Sequence, residues 1–274
     1  MRPELAPHSA LIFEGRYLNI SLLHRYRYLR LNGLWLSPSE IPQRLSTHVD
    51  DLLSLDSLHC TSRVGTCVLL KVNNRFFGTC TQHQLIGRDP QWIGVNISDD
   101  RTVQTSGGYL TVQNADELIG DLALFDFTEA VSEDGLRADR FFALNGESIV
   151  ANGDDVIGMV AFGYLDSDQR LTVEYEDRLP LGYQTTALHQ VLRPLSCRYA
   201  GVGSDPTAFR FEIVDEVSGS YSGLSGGPIF AVVREKPLSF CLKFAGIVTH
   251  ASAGLGWGIK ADSIFSRISL REWA

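Results

Sequence analysis

Three side chains of the types used together in nucleophilic catalysis occur in distinctive settings in this sequence. Ser225 lies in the glycine-rich run GLSGGP, residues 223–228. His83 ends the strand-like stretch 76–83, and Asp121 directly precedes an apolar run. A serine hydroxyl attacks a carbonyl carbon once a base removes its proton; an imidazole does this near neutral pH, and a carboxylate fixes the tautomer of that imidazole. We therefore expect His83, Asp121 and Ser225 to form a catalytic triad.

The chain order of these residues distinguishes two hydrolase architectures. In the Gly-x-Ser-x-Gly elbow of α/β-hydrolases, the serine opens a helix and its acid and histidine follow it along the chain. Here His83 and Asp121 precede Ser225, no aspartate lies between Ser225 and the later His250, and the run 226–228 (Gly-Gly-Pro) is a poor helix start. This order disfavours the elbow. A plain Ser/Gly turn between strands remains the alternative for the serine run taken alone.

Four segments in a fixed order carry a resemblance to a known family. They are Gly65-Thr66-Cys67-Val68-Leu69, Thr81-Gln82-His83, Asp121-Leu122-Ala123-Leu124 and the serine run. With them the chain resembles the trypsin-like, chymotrypsin-fold serine peptidases over about residues 61–270. The later segment 254–259, GLGWGI, is similar to the pocket-wall strand of bacterial members of that family.

The resemblance implies an all-β fold of two antiparallel six-stranded β-barrels with the active site in the cleft between them. Ser225 would be the nucleophile, His83 the general base and then the general acid, and Asp121 the residue that orients His83. The backbone N–H groups of Gly223 and Ser225 would form the oxyanion hole. Asp126 is the weaker alternative to Asp121, because alternation along a strand turns it in a different direction. No cofactor and no metal is implied.

Two departures from the family concern activation and location. Secreted animal members carry an aspartate directly before the nucleophile, which pairs with an N-terminus freed by cleavage; here that residue is Leu224. The cysteine that usually follows the catalytic histidine is replaced by Gln84. Both departures indicate an intracellular, bacterial-type member that is not activated through a freed α-amine. Its activity would be controlled by a partner protein, by the loop that carries the N–H groups of Gly223 and Ser225, or by residues 1–60.

The resemblance also places a substrate pocket. Its base would include Gly219 and Ser220, and one wall would include Thr249 and His250. Trypsin itself has its acidic pocket residue where this chain has Gly219, which argues against a simple preference for arginine or lysine. A loop shift of the upstream acids, Asp215 and Glu216, would restore an acidic pocket, whereas His250 and Ser220 would favour an acidic or polar residue.

The amino-acid composition and net charge disfavour several classes of function. The 274 residues are 44% hydrophobic and 20% charged with a formal net charge of −8, which is typical of a soluble globular protein and unlike a nucleic-acid-binding one. The basic segment 24–30 is better explained as a charged strand or protein-binding patch. No apolar run reaches membrane-spanning length, and no signal peptide is apparent. Five cysteines without CxxC spacing favour a reducing, cytoplasmic location, and Cys80 and His83 lack a second pair of zinc ligands.

The elements that must position these residues follow from periodicity. Residues 39–55 predict a helix, because Ser39 can cap it and its apolar residues share one face; Asp262–Trp273 predicts a second. Short apolar runs between turns predict strands. The predicted strands are Ala10–Phe13, Val64–Val72, Arg75–Thr81, Trp92–Ile97, Tyr109–Val112, Leu122–Phe127, Val156–Tyr164, Phe209–Val214, Pro228–Val233, Phe240–Thr249 and Trp257–Lys260.

The chain therefore divides into a predicted N-terminal extension (1–60), a first barrel with His83 and Asp121 (61–145), and a second barrel with Ser225, the pocket and the C-terminal helix (146–274). The leading interpretation is a serine endopeptidase that acts on a protein or peptide, with a regulatory protein as a further partner. One rival is a latent or inactive trypsin-like fold that binds a protein. The other is an esterase, because acyl chemistry is shared between the two enzyme classes.

Overall fold

The structure is a computed structural model that describes residues 28–56, 61–97, 103–112, 118–133, 135–174, 185–189, 191–237 and 239–270. Strands dominate these ranges, which confirms the all-β class. The strands are β1 (Leu29–Leu31), β2 (Leu34–Leu36), β3 (Val49–Leu55), β4 (Thr61–Val72), β5 (Arg75–Thr81), β6 (Ile93–Asn96), β7 (Val103–Thr105), β8 (Gly108–Thr111), β9 (Leu122–Asp126), β10 (Phe142–Ala143), β11 (Asp155–Tyr164), β12 (Arg170–Glu174), β13 (Thr185–His189), β14 (Leu192–Val202), β15 (Ala208–Ile213), β16 (Pro228–Lys236), β17 (Ser239–Ser252) and β18 (Leu255–Lys260).

Short helices connect or end these strands: α1 (Ile41–Ser46), α2 (Thr128–Ser132) and α3 (Ala261–Ser269). Helix α3 is the predicted C-terminal helix, and it buries Ala261, Ile264 and Ile268. No helix within the described ranges has the length and apolar character needed to cross a membrane. The predicted strand at Ala10–Phe13, the basic residues 24–27, Cys60 and the end of the predicted last helix lie outside the described residues.

The first sheet carries the strands before and after His83. Its strand order is β7-β6-β3-β4-β5-β9-β8, and β10 adds in parallel to β4. The β4–β5 hairpin turns at Asn73 and Asn74, which have φ of 48° and 64°. Asparagine tolerates this left-handed conformation, which matches the right-handed twist of hairpin strands. The predicted hairpin is therefore confirmed.

The predicted helix over 39–55 is wrong beyond its first turns. Helix α1 ends at Ser46, and Val49–Leu55 forms strand β3. The apolar residues do share one helical face, but β3 pairs with β4 on one side and β6 on the other. Strand β4 pairs along the whole of β3 and β6 pairs with Leu53 and Ser54, so tertiary pairing overrides the local helical pattern.

The second sheet closes into a ring. Six strands follow the order β16-β11-β14-β15-β18-β17, and β16 pairs with β17 to complete the circle. Strand β1 extends this sheet by pairing in parallel with β17, and β2 pairs with β1. In the described residues the first sheet runs as an open path of seven strands, so pairing closes one of the two sheets. Strand β14 (Leu192–Val202) forms where the sequence pattern predicts no strand.

One apolar core joins the two sheets. Phe142 on β10 packs edge-on against Phe230 on β16, with ring centroids 5.3 Å apart, and its ring lies 6.1 Å from that of Phe244 on β17. All three phenylalanines are fully buried. Aromatic side chains of this size dominate core energetics, so the contact holds the two sheets in a defined relative position. The division into 1–60, 61–145 and 146–274 stays a prediction.

Candidate active site

His83 and Asp121 meet because their strands are neighbours. Strand β5 ends at Thr81, which pairs with Leu122 at the start of β9. His83 lies in the single 3-10 turn Gln82–Leu85 after β5, and Asp121 ends the 3-10 turn Leu118–Asp121 before β9. The pairing of these strands therefore brings the two side chains to the same edge of the first sheet.

The carboxylate of Asp121 holds His83 at two points. Its Oδ2 accepts from Nδ1 of His83 at 2.8 Å, and its Oδ1 accepts from the backbone N–H of His83 at 2.9 Å. Because the carboxylate accepts, Nδ1 of His83 carries the proton. Neutral His83 then has its lone pair on Nε2, which makes no hydrogen bond among the described residues. This tautomer is the one required of a general base.

Asp126, the alternative acid, has a different task. It pairs with Arg75, and its Oδ1 accepts from the backbone N–H of Thr128 at 2.9 Å, at the start of helix α2. It lies at the end of β9 away from His83, where it is paired with Phe77. Asp126 therefore stabilises the turn after β9.

The loop that carries Ser225 is tied to strand β17. The N–H of Gly226 donates to Val248 O, and the N–H of Val248 donates to Gly227 O, both at 2.8 Å. The hydroxyl of half-buried Ser225 donates to Thr249 O at 2.7 Å. In this state its proton is directed to Thr249, so attack on a substrate would require a rotation of the Ser225 side chain toward His83.

Gln84 links the loop of Ser225 to the turn of His83. Its Nε2 donates to Ser225 O at 2.9 Å and to Thr66 O at 3.3 Å, while its Oε1 accepts from the N–H of Thr81 at 2.9 Å. The residue next to the candidate base therefore bonds directly to the candidate nucleophile. Sequence reasoning noted Gln84 for the cysteine it replaces and missed this role. The Thr-x-x-Gln pattern of a capping box indicates the bond between Thr81 and Gln84, but it carries no signal for the bond to Ser225.

Two backbone N–H groups beside Ser225 make no hydrogen bond in the described part of the chain. They belong to Gly223 and Ser225, whereas Leu224 N–H donates to Tyr221 O and Gly226 N–H to Val248 O. Gly223 has φ of +89°, a conformation that glycine adopts without a Cβ penalty. The two N–H groups, separated by one residue, are the donors that the expected oxyanion hole would use.

Leu224, the residue directly before Ser225, is buried. It is 1% exposed and belongs to the apolar cluster inside the closed sheet. A Cβ placed on Gly163 would lie 2.7 Å from a methyl group of Leu224, which shows how tightly the two pack. Leu224 therefore anchors the loop by apolar burial.

The predicted pocket residues come from two segments. Thr249 is fully buried and donates its hydroxyl to Trp257 O at 3.0 Å, so it accepts from Nδ1 of His250 at 3.1 Å. The ring of His250 stacks on Trp257 with centroids 4.5 Å apart. Gly219, with φ of +103°, and Ser220 lie in the loop before Ser225.

The charges of both His83 and Asp121 affect the pKa of His250. Burial lowers the pKa of His250, the negative charge of Asp121 opposes this, and the charge of His83 lowers it further. The two histidines and Asp121 therefore lie within electrostatic reach of one another. At neutral pH His250 presents a neutral ring.

Asp215, proposed above as a residue that a loop shift would bring into the pocket, is 5% exposed. Its Oδ2 accepts from the backbone N–H of Ser196 at 2.6 Å, and burial raises its pKa. The described structure uses this oxygen to extend the pairing between β15 and β14.

Neither cysteine near the site is a competing nucleophile. Cys67 and Cys80 are fully buried free thiols, and burial raises the pKa of each well above its ordinary value. A thiol needs its thiolate form to attack, so both stay inert near neutral pH. Cys197 and Cys241 are also free and buried.

Neither a protein-family model nor a curated protein matches this chain.

Proposed function

We propose that this chain is a serine endopeptidase of the trypsin-like class, with two chymotrypsin-like β-barrels and a triad of His83, Asp121 and Ser225. The observation that carries the proposal is the double hydrogen bond between Asp121 and His83. It selects the tautomer that leaves Nε2 as a base. The Gln84 bridge to Ser225 O and the unbonded N–H groups of Gly223 and Ser225 support it.

The reaction proceeds by acyl transfer. His83 Nε2 takes the proton of the Ser225 hydroxyl as Oγ bonds to the scissile carbonyl carbon, and the N–H groups of Gly223 and Ser225 stabilise the oxyanion. The C–N bond then breaks as His83 passes the proton to the leaving amine. A water molecule, deprotonated by His83, attacks the acyl-enzyme and releases the acid, and the proton returns to Ser225.

The experiment is labelling with a fluorophosphonate probe at neutral pH. We expect the native chain to be labelled and both Ser225→Ala and His83→Ala to lose labelling, because in such triads loss of either residue lowers turnover on the order of a million-fold. Ser266→Ala on the exposed face of α3 is the control and should label like the native chain. Cleavage of peptide amides, besides activated esters, then separates a peptidase from an esterase.

A latent protein-binding fold is the second candidate. The hydrogen bond from Ser225 Oγ to Thr249 O favours it, because the hydroxyl is turned to a carbonyl group in place of the base. A folded native chain that takes up no probe would support this candidate and would contradict the peptidase proposal. Catalytic hydrogen bonds often form only in the substrate complex, so the bond from Ser225 to Thr249 O is compatible with a peptidase.

A further inference from the structure

Arg63, on strand β4 of the first sheet, reaches toward the loop that precedes Ser225. Its Nε donates to Asp51 Oδ1 at 3.0 Å, its Nη1 donates to Asp166 Oδ1 at 2.6 Å, and its Nη2 donates to the backbone carbonyl of Tyr164. Its side chain is 8% exposed. The guanidinium group therefore joins a carboxylate of the first sheet to the segment that follows β11 of the second.

Asp166 extends this connection to Ser222, in the loop that precedes Ser225. Its backbone N–H donates to Ser222 O at 2.9 Å, and its Oδ2 accepts from the Ser222 hydroxyl. Asp166 thus binds Arg63 with one carboxylate oxygen and the residue before Gly223 with the other. The chain of contacts runs from Asp51 through Arg63 and Asp166 to Ser222.

Gly223 packs directly over this pair of charges. A Cβ at Gly223 would lie 2.1 Å from Tyr164 O and 3.0 Å from both Arg63 Nη2 and Asp166 Oδ1. On its other side, Gly223 O accepts from the Thr66 hydroxyl at 2.6 Å. Gly223 therefore lies against Arg63 and against Tyr164 O and Asp166, which Arg63 joins to one another by hydrogen bonds.

We propose that Arg63 is a positioning residue that fixes the Ser222–Gly223 segment, and with it the N–H of Gly223, from the first sheet. The inference rests on the proposed function, in which that N–H binds the oxyanion. Leu224 anchors the following residue by apolar burial and Thr66 binds Gly223 O, whereas Arg63 and Asp166 restrain the Ser222 side of this segment.

The chemistry of the guanidinium group suits this task. It is planar and always charged, and it donates in several fixed directions, so it orients three acceptors at once. Hydrogen bonds between charged groups are also stronger and shorter than neutral ones. Asp166 is half exposed, which weakens its charge interaction with Arg63, whereas Asp51 on the opposite side is 13% exposed.

The test compares Arg63→Met with Arg140→Met. Arg140 is the matched control, because it also joins a buried aspartate of β3, Asp50, and also binds backbone carbonyls, those of Asn96 and Ile97. We expect both variants to lose stability. Only Arg63→Met should also slow the rate constant of fluorophosphonate labelling, by about 100-fold, which is the effect of losing one oxyanion donor. Arg63→Lys, which keeps the charge, should label faster than Arg63→Met.

Hydrogen exchange followed by mass spectrometry gives a readout that needs no activity. We expect amides in segment 217–227 to exchange faster in Arg63→Met than in the native chain, and to be unchanged in Arg140→Met. If Arg63→Met does not fold, Asp166→Asn weakens the connection on its loop side and serves in its place.

The outcomes separate this inference from the proposed function. If the native chain is labelled and Arg63→Met behaves like Arg140→Met in both readouts, the positioning role is wrong and the peptidase proposal stands. If the native chain takes up no probe but exchange rises in Arg63→Met alone, the positioning role stands without the enzyme. Slower labelling and faster exchange in Arg63→Met alone support both.

Discussion

Asp121 shows how one side chain determines the chemical state of another. By accepting from both the backbone N–H and Nδ1 of His83, it fixes the position and the tautomer of the ring. Asp126, five residues later, has the same functional group but binds Arg75 and the backbone N–H of Thr128. Their different roles arise from strand direction, because the two carboxylates leave β9 at opposite ends.

This contrast predicts the effects of two isosteric changes. Asp121→Asn should lower the rate of labelling or peptide hydrolysis by about 10⁴-fold, because the amide favours the wrong tautomer of His83. Asp126→Asn should lower the melting temperature and leave the rate per folded molecule close to that of the native chain. Both variants are compared by active-site labelling and thermal unfolding. A larger loss of rate in Asp126→Asn would assign the catalytic acid to that residue.

At the scale of elements, the loop before β16 depends on close backbone approach. Gly226 has φ of +77°, and a Cβ there would lie 2.1 Å from Thr66 O on β4. The loop of the second sheet therefore touches a strand of the first through backbone atoms. A glycine is required both by its conformation and by the space available.

A matched pair of substitutions separates these two requirements. Gly135 has a similar φ of +80°, with nothing within 4 Å of its Cβ position. Gly135→Ala should lower stability by about 1 kcal/mol, the cost of the left-handed conformation. Gly226→Ala should lower stability further and also abolish labelling, because the loop must move away from Thr66. Urea unfolding and probe labelling measure both effects. Equal losses in the two variants would show that close approach does not matter.

On the scale of the whole molecule, the first sheet buries ionisable groups that folding must desolvate. Burial raises the pKa of Asp50 to about 7 and that of Asp51 to about 6, although Arg140 and Arg63 oppose the rise. The neighbouring His48 has its pKa lowered to about 4 by burial, so it stays neutral and donates from Nδ1 to Arg140 O. The folded state thus favours the protonated form of each acid relative to the unfolded chain.

This predicts a pH dependence of stability. Protonated Asp50 stabilises the folded state. This contribution to the free energy of unfolding is fully present below the pKa of Asp50 in the unfolded chain, near 4, and is lost as the pH rises through 7. Asp50→Asn stays neutral, so its free energy of unfolding should improve relative to the native chain between pH 4 and 7. The slope is at most about 1.4 kcal/mol per pH unit. Urea unfolding of both proteins at several pH values measures this difference in the free energy of unfolding. The same pH dependence in the native chain and in Asp50→Asn would contradict a raised pKa of Asp50.

Much of the strand pattern and the candidate triad could be predicted from local sequence. The β4–β5 hairpin follows from two asparagines between apolar runs, and helix α3 follows from its apolar stripe, because both signals are carried by neighbouring residues. The pairing of His83 with Asp121 was also predictable, since each residue lies next to a strand end. The motif containing Ser225 indicated a nucleophile through its glycine spacing.

Other features were decided only by contacts between distant segments. Strand β3 formed where a helical pattern was present, because β4 and β6 pair with it on both sides. The bridge from Gln84 to Ser225 and the connection from Arg63 to Asp166 join residues more than 100 positions apart. Periodicity reports which face of an element is apolar. It does not report which distant donor meets which acceptor, because that depends on how the two sheets pack on their shared core.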